Sequence, residues 1–389
     1  MGKNKVSDYS EQIRGVSYKP EDLHEDLNDN SIVLLRANNI SDGEINFEDV
    51  VYVDKSKVSD KQLLRKGDIL VCASSGSKHL VGKAAQVDFN GNYTFGAFCK
   101  VVRPGNINYS YLGMYFQSRE YRRIISSISQ GANINNIKNE NIDNLMINVP
   151  GESEQINVAE ILTKVSKIIK LKREQLDSLD ELIKSRFVEM FGDPVINPRN
   201  WEMVELSQIA EIKIGPFGTL LHKEDYISGG HALVNPSHII EGKICCDNNL
   251  SISEEKYCEL ESYSLKKFDL VLGRRGEMGR CAVVNEEGLL CGTGSLIIRS
   301  NGEISSEILQ KIISFPSFKK TIEDKAVGQT MPNLNVPIVS KLLIPQIPSE
   351  VQNEYFTFVQ QVDKLKVDVQ KSLNETQLLF DSLMQRYFE

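Results

Sequence analysis

The sequence is first informative for what it lacks. No apolar run approaches the roughly 18 residues a membrane span requires, and the opening MGKNKVSDYSEQIRG has no apolar centre of a secretory signal. A cytoplasmic protein is the expectation. Five histidines and one tryptophan occur, and the seven cysteines include no CxxC or Cys/His pair at zinc-ligand spacing. They read as reduced, mostly buried thiols. HExxH and GxSxG are missing, the histidines (His24, His79, His222, His231, His238) form no obvious triad, and NPRNW and NPSH fall short of the NPPY-like motif of an adenine methyltransferase. An excess of positive charge is missing too. With 45 Lys and Arg against 53 Asp and Glu, the net charge of -8 argues against a protein that coats nucleic acid nonspecifically. Local basic loops remain compatible with DNA binding, particularly beside a more basic partner.

What is present is a chain of 389 residues, 41% hydrophobic and 25% charged, the composition of a globular protein with two or three domains. It repeats itself. LLRANNISDGEI (34–45) resembles LVNPSHIIEGKI (233–244), which pairs Ile40 with Ile239, Gly43 with Gly242 and Ile45 with Ile244. LRKGDILVCASSGSKHLVGKAAQV (64–87) resembles LKKFDLVLGRRGEMGRCAVV (265–284), aligning Asp68 with Asp269, Gly82 with Gly279 and Lys83 with Arg280. GANINNIKNENIDNLMINVP (131–150) matches GQTMPNLNVPIVSKLLIPQIP (328–348), with Gly131 over Gly328, Asn136 over Asn333 and Ile147 over Ile344. LDELIKSRFVE (179–189) lies over LFDSLMQRYFE (379–389). The four matches keep their order at a nearly constant offset, so the chain is two copies of one unit.

In each copy DILVCA, FCKVVR, DLVLG and SLIIRS read as strands, while REYRRIISSI (119–128) and SSEILQKIISF (305–315) have helical spacing. The fold class is therefore α+β: mixed α/β domains. Each copy then ends in a long amphipathic helix. Val158, Leu162, Val165, Ile169, Leu176, Leu179 and Ile183 follow a four-three repeat that skips Lys172. Tyr355, Val359, Val362, Val369, Leu373, Phe380, Leu383 and Tyr387 follow another that skips Lys366 and Thr376. Both are coiled-coil seams. VPGESEQ and IPSEVQ carry helix-start signals, and FGDPVINPRNW ends the first helix with Gly192, Pro194 and Pro198. About 36 helical residues reach roughly 54 Å. The expected architecture is two pseudo-twofold-related domains joined by a long antiparallel two-helix coiled coil.

LGRRGEMGRCAVV (272–284) tests whether any of this binds a nucleotide. Its glycines are spaced GxxGxxG and lead into another strand, unlike the GxGxxG that opens a helix in a dinucleotide fold. The companion loop Gly76–Lys83 is one residue too long for a P-loop, and Ala84 stands where a Mg²⁺-binding Ser or Thr is needed. Asp225, Glu241 and Lys243 give only the outline of a metal-dependent nuclease site, which needs carboxylates placed around the metal. What remains is a strand-loop-strand element with Ser74, Ser75, Lys78 and Lys83 in one copy and Arg274, Arg275 and Arg280 in the other. Arginine binds guanine bidentately and Lys or Ser holds phosphates, so the element suits groove reading. Alternatively it is a tight hairpin with solvated arginines.

The order and duplication of IRGVSYKPEDL with LLRANNI, GDILV with a glycine loop, and GQTMPNLNVPIVSKLLIPQIP before a helix resemble the specificity subunits of type I restriction-modification enzymes. The resemblance covers essentially the whole chain. It implies target recognition domains at 1–151 and 201–348, long helices at 152–191 and 349–389, and a linker at 192–200. It implies a subunit with no catalytic centre that reads a bipartite DNA target, one half per domain, with the helices setting the separation. Two modification subunits using S-adenosylmethionine, and restriction subunits using ATP and Mg²⁺, would assemble on it, and no cofactor or metal would bind this chain. Candidate DNA contacts are Arg36, Asn38, Asn39, Ser74, Ser75, Lys78 and Lys83 in the first domain, and Asn235, Ser237, His238, Arg274, Arg275, Arg280 and Gln329 in the second. The competing readings are a single-chain component with its own nuclease site and a scaffold that spaces two protein-binding domains.

Overall fold

The structure is a computed structural model and describes residues 3–77, 80–130, 136–216, 220–327 and 333–389. The chain forms two compact units, one of residues 1–176 with 368–389 and one of residues 177–367. The boundary falls within the long helices rather than at the linker, because each unit takes a piece of both.

In the first unit, strands Ser10–Arg14, Cys99–Pro104, Ile69–Cys72 and Ala84–Gln86 lie side by side in that order as an antiparallel sheet. Ile69, Leu70, Val71 and Cys72 are all buried, which explains why this strand reads as a continuous apolar run instead of an alternating one. A second sheet orders Tyr93–Phe95, Ser31–Leu35, Val51–Asp54 and Leu23–His24, its first pair parallel. Helices Tyr109–Tyr115 and Arg119–Gln130 place Tyr111, Leu112, Tyr115 and Tyr121 in the core beside Ile69, Val71 and Val102.

The second unit repeats the plan. Ala210–Ile214, Ser295–Ser300, Leu270–Gly273 and Cys281–Val283 form its antiparallel sheet, and Ser251–Ile252, His231–Val234 and Leu290–Cys291 its smaller one. Helices Ser306–Ile313 and Pro316–Lys325 cover the apolar face with Ile308, Leu309, Ile312 and Phe318. The repeat extends to turns. Hairpins Ile40–Ile45 and Ile239–Ile244 close through Asp42-Gly43 (φ 49° and 80°) and Glu241-Gly242 (φ 50° and 75°), two-residue turns whose second position needs glycine.

Each central strand is anchored by an ion pair. Arg103 donates from Nε and Nη2 to the two carboxylate oxygens of Asp68, both at 2.8 Å, and Asp68 also accepts from the backbone of Arg65 at 2.8 Å. Arg299 grips Asp269 in the same way at 2.7 Å, and Asp269 accepts from Lys266 N at 2.8 Å. Asp68 and Asp269 are each 1% exposed, so loss of either partner would leave an uncompensated charge in the core. In turn, Asp68 and Asp269 hold the Arg103 and Arg299 guanidiniums more basic than usual.

The long helices span Glu152–Phe191 and Ser349–Phe388. Each is tied at its start by a buried glutamine: Gln155 donates to Pro150 O and accepts from Asn108 N, and Gln352 donates to Ile347 O and accepts from Ser305 N. Within the first unit Val158 and Leu162 lie in one core with Met384 and Phe388, and Val165 and Ile169 pack on Leu373, so the helices run antiparallel. Leu176, Phe380, Leu383 and Tyr387 flank them, and Val369 is half-buried. Within the second unit Leu179 and Ile183 belong to the core that also holds Tyr355, Val359 and Val362, and Phe187 and Phe191 pack their rings on Tyr355. The skipped positions Lys172, Lys366 and Thr376 are half-buried; Lys366 reaches Asp180 at 2.6 Å. Arg199 from the linker caps the first helix by donating to Met190 O. All seven cysteines are free; Cys72, Cys99, Cys281 and Cys291 are buried, whereas Cys245 and Cys258 are exposed. Among the described residues no helix is long and apolar enough to cross a membrane.

Asp68→Ala strands the Arg103 guanidinium in the core and is expected to lower stability by about 3–5 kcal/mol. The double change Asp68→Leu with Arg103→Met should cost much less. Urea unfolding of the full chain compares them, and equal losses would show that the pair is not the anchor.

Backbone contact sets a second constraint. A β-carbon on Gly15 would stand 2.1 Å from Gly96 O, and one on Gly215 would stand 2.1 Å from Gly292 O. Gly15→Ala is therefore expected to cost about 1–3 kcal/mol in the same measurement, while Gly76→Ala, which meets nothing within 4 Å, should be near neutral.

Candidate nucleic-acid interface

The candidate contacts cluster where the central strands leave their sheets. Beyond Ile69–Cys72, Ala73 N and Ser74 N both donate to Phe98 O, at 2.9 and 3.0 Å, and Ala73 O accepts from Ile137 N at 2.7 Å. Ser74 bridges Asn136. Beyond Leu270–Gly273, Arg274 N donates to Gly294 O at 3.0 Å, Arg274 O accepts from Leu334 N at 2.9 Å, and Arg275 bridges Asn333. The same scaffold therefore puts Arg274 in the place of Ala73, Arg275 in that of Ser74 and Gly294 in that of Phe98. The two arginines stand over Ala73 and Ser74, one residue before the serine pair Ser74-Ser75.

In the first unit this strand end joins the turn after Leu35 to form an open cleft of about 580 Å³, bordered by Tyr18, Arg36, Asn38, Ser74, Ser75 and Phe98. Its walls are braced. Arg36 Nη2 donates to Asp49 O and Oδ2 at 2.8 and 3.0 Å, and Asn38 Nδ2 reaches Asp49 Oδ2 at 2.9 Å. The structure thus brings four of the candidates together around one opening.

Two candidates do not face solvent. Asn39 is fully buried; it accepts from Arg36 N at 2.8 Å and donates to Glu48 O at 2.8 Å. His238, its counterpart, is buried with Nδ1 at 2.7 Å from Leu233 O. Both side chains are consumed in shaping their turns, which corrects the expectation that they touch DNA. The remaining members of the second turn differ in exposure: Ser237 is exposed and Asn235 half-buried.

Arg274 is half-buried, its Nε 3.1 Å from Asn333 Oδ1. Burial, and then the neighbouring Arg275, pulls its basicity down, which favours an incoming anionic or acceptor-rich ligand that restores the charge balance. Arg275 is exposed. Arg280 is committed differently: it donates to Glu277 at 2.8 and 3.2 Å and to Pro236 O at 3.2 Å. Hydrogen bonds from Arg280 and then Lys319 push Glu277 down to about 2. Arg280 thus ties the glycine loop to the 235–238 turn. Its counterpart Lys83 lines a groove of about 340 Å³ with Asp42, Arg122 and Arg173. Lys78 and Gln329 lie outside the described residues.

The nuclease outline does not assemble into a recognisable centre. Asp225 accepts from His222 N at 2.6 Å and stands 4.0 Å from Lys256, while Glu241 occupies a hairpin turn. Among the described residues no group of three or more His, Cys, Asp or Glu is placed to share a metal ion.

Sequence reasoning passed over Phe98, Arg103, Arg299, Gln155 and Gln352. Arg299 is the one charge inside SLIIRS, but CKVVRP carries Lys100 as well as Arg103, so charge alone did not single out the pair. The glutamines recur after the proline that precedes each long helix. Nothing in the sequence marked Phe98 as exposed rather than core.

The model of the type I restriction modification DNA specificity domain matches residues 13–181 and 198–376. The chain is 29% identical over 335 residues to the EcoKI specificity subunit of Escherichia coli K12, covering 82% of this chain and 72% of that one. It is 38% identical over 180 residues to the StySPI specificity subunit of Salmonella potsdam, 46% of this chain and 39% of that one. Among solved structures, a type I restriction-modification chain described for complex assembly and conformational transition matches with a TM-score of 0.62 at 15% identity, over 99% of this chain and 97% of that one. The S subunit of M. genitalium matches with a TM-score of 0.53 at 15% identity, over 100% and 96%. With both of its repeats matched by the family model, the chain belongs to the type I restriction-modification specificity family, as a non-catalytic subunit that recognises a DNA target.

Proposed function

We propose that the two strand ends, Ala73–Ser75 and Arg274–Arg275, are where the chain reads its target, one half-site to each domain. The observation that carries this is the superposable scaffold that presents different side chains at the same places: apolar and hydroxyl groups in one domain, guanidiniums in the other. Equivalent backbones with unlike tips suit a protein that reads two unlike sequences. The long helices, each shared by both units, would set the separation of the half-sites. Two modification subunits would dock on the chain and carry S-adenosylmethionine, and restriction subunits would bring ATP and Mg²⁺, all in the cytoplasm.

Replacing Arg274 and Arg275 together with alanine is expected to weaken binding about 10- to 100-fold and relax one half-site, the other unchanged. Mapping methylated adenines in DNA from cells carrying the assembled complex reads both halves at once. Loss of subunit assembly instead would show that the arginines are structural.

The acidic balance of the chain gives a second expectation: weak, salt-sensitive DNA binding alone and much tighter binding with the modification subunits. Equal affinities in a titration with and without them would contradict it. Adding one heptad to each long helix should lengthen the accepted spacer by about 10.5 Å, or roughly three base pairs. An unchanged spacer in the methylation map would remove the helices' role as a ruler.

A further inference from the structure

Phe98 is 71% exposed, yet its backbone is tied down on both sides. Its carbonyl accepts two hydrogen bonds, from Ala73 N and Ser74 N, and Cys99 N closes a tight turn behind it onto Gly96 O at 2.8 Å. Burying such a side chain would contribute roughly 1.5–3 kcal/mol, and the fold forgoes it. A rigid backbone that displays an aromatic ring is the arrangement expected of a contact group prepared before its ligand arrives.

The surroundings say what that ligand is. Phe98 borders the cleft that also presents Arg36, Asn38, Ser74 and Ser75, donors and acceptors suited to base edges and phosphates. The apolar feature that a base pair offers in the major groove is the 5-methyl group of thymine, and Phe is one of the side chains that contact it. The second domain is built without this element. Gly294 replaces Phe98, and a β-carbon there would lie 3.0 Å from Pro236 Cδ; in the first domain the place of Pro236 is taken by Ala37, which leaves room.

We propose that Phe98 is a specificity-determining residue of the first domain, contacting the methyl group of a thymine in that domain's half-site, a contact the second domain lacks. The inference rests on the DNA-reading role of the strand ends proposed above.

The test uses the complete complex with its modification subunits. The target of the wild-type complex is mapped by sequencing methylated DNA, and each thymine of each half-site is then replaced by deoxyuridine, which lacks only the methyl. One thymine, in the half-site that Arg274 and Arg275 do not affect, should lose about fourfold in affinity, what one buried methyl supplies. Phe98→Ala should bind the thymine and deoxyuridine duplexes equally and tolerate other base pairs at that position alone. Phe98→Leu should keep the preference. Indifference of the wild type to every deoxyuridine, a change in both half-sites, or failure of Phe98→Ala to assemble would each overturn the proposal. If the Arg274 and Arg275 changes also left the motif untouched, the reading of the strand ends would fall with it; if they relaxed one half-site as expected, Phe98 alone would be at fault.

Discussion

A carboxylate buried beneath the central strand is the constraint on which each unit depends. Asp68 and Asp269 sit at the point where the chain enters that strand, 1% exposed and clasped by an arginine from the adjacent strand. A buried ion pair adds little net stability, but losing one partner is severe, so the pair fixes register more than it strengthens the sheet. After four more residues the same strand leaves the sheet, and the position of the residues that follow depends on that register. The recognition tips are thus the far end of a short rigid lever whose near end is an Asp–Arg clasp.

Duplication lets the molecule be read against itself. Where the copies agree in geometry, as at the clasp, the buried helix-start glutamines and the Asp-Gly and Glu-Gly hairpins, the residues serve the scaffold. Asn39 and His238 belong here: their side chains are different, yet each is buried and spent on its own turn. Where the scaffold coincides and the tips diverge, as Ala73, Ser74 and Phe98 against Arg274, Arg275 and Gly294, the difference has no counterpart in the fold. That is the pattern expected of two readers addressing different bases.

Much of this was legible in the sequence because its signals are local or periodic. Gly43 and Gly242 aligned in the repeat, and the four-three spacing of Val158 to Ile183 and of Tyr355 to Tyr387 marked the helix stripes. Asp68 over Asp269 stood out in the repeat, but the partners did not, since Arg103 and Arg299 lie 35 and 30 residues away and meet them only across a sheet. Met384 and Phe388 are more buried than Leu383 and Tyr387, because the last turn of the second helix meets Tyr111 and Tyr115 as well as the first helix. Exposure of a single aromatic or burial of a single polar residue is a tertiary property. That is why Phe98 was missed and why Asn39 and His238 were misplaced, although all three lie in segments singled out from sequence.

Equivalent strand ends address separate halves of one target in the function proposed above. This division is tested most directly by photocrosslinking from a benzophenone side chain placed at Ser75 or at Arg275 in the assembled complex, on duplexes carrying the mapped target. Crosslinks from position 75 confined to one half-site and from position 275 confined to the other are the predicted result. Crosslinks from both positions to the same half-site, or from neither, would contradict the account.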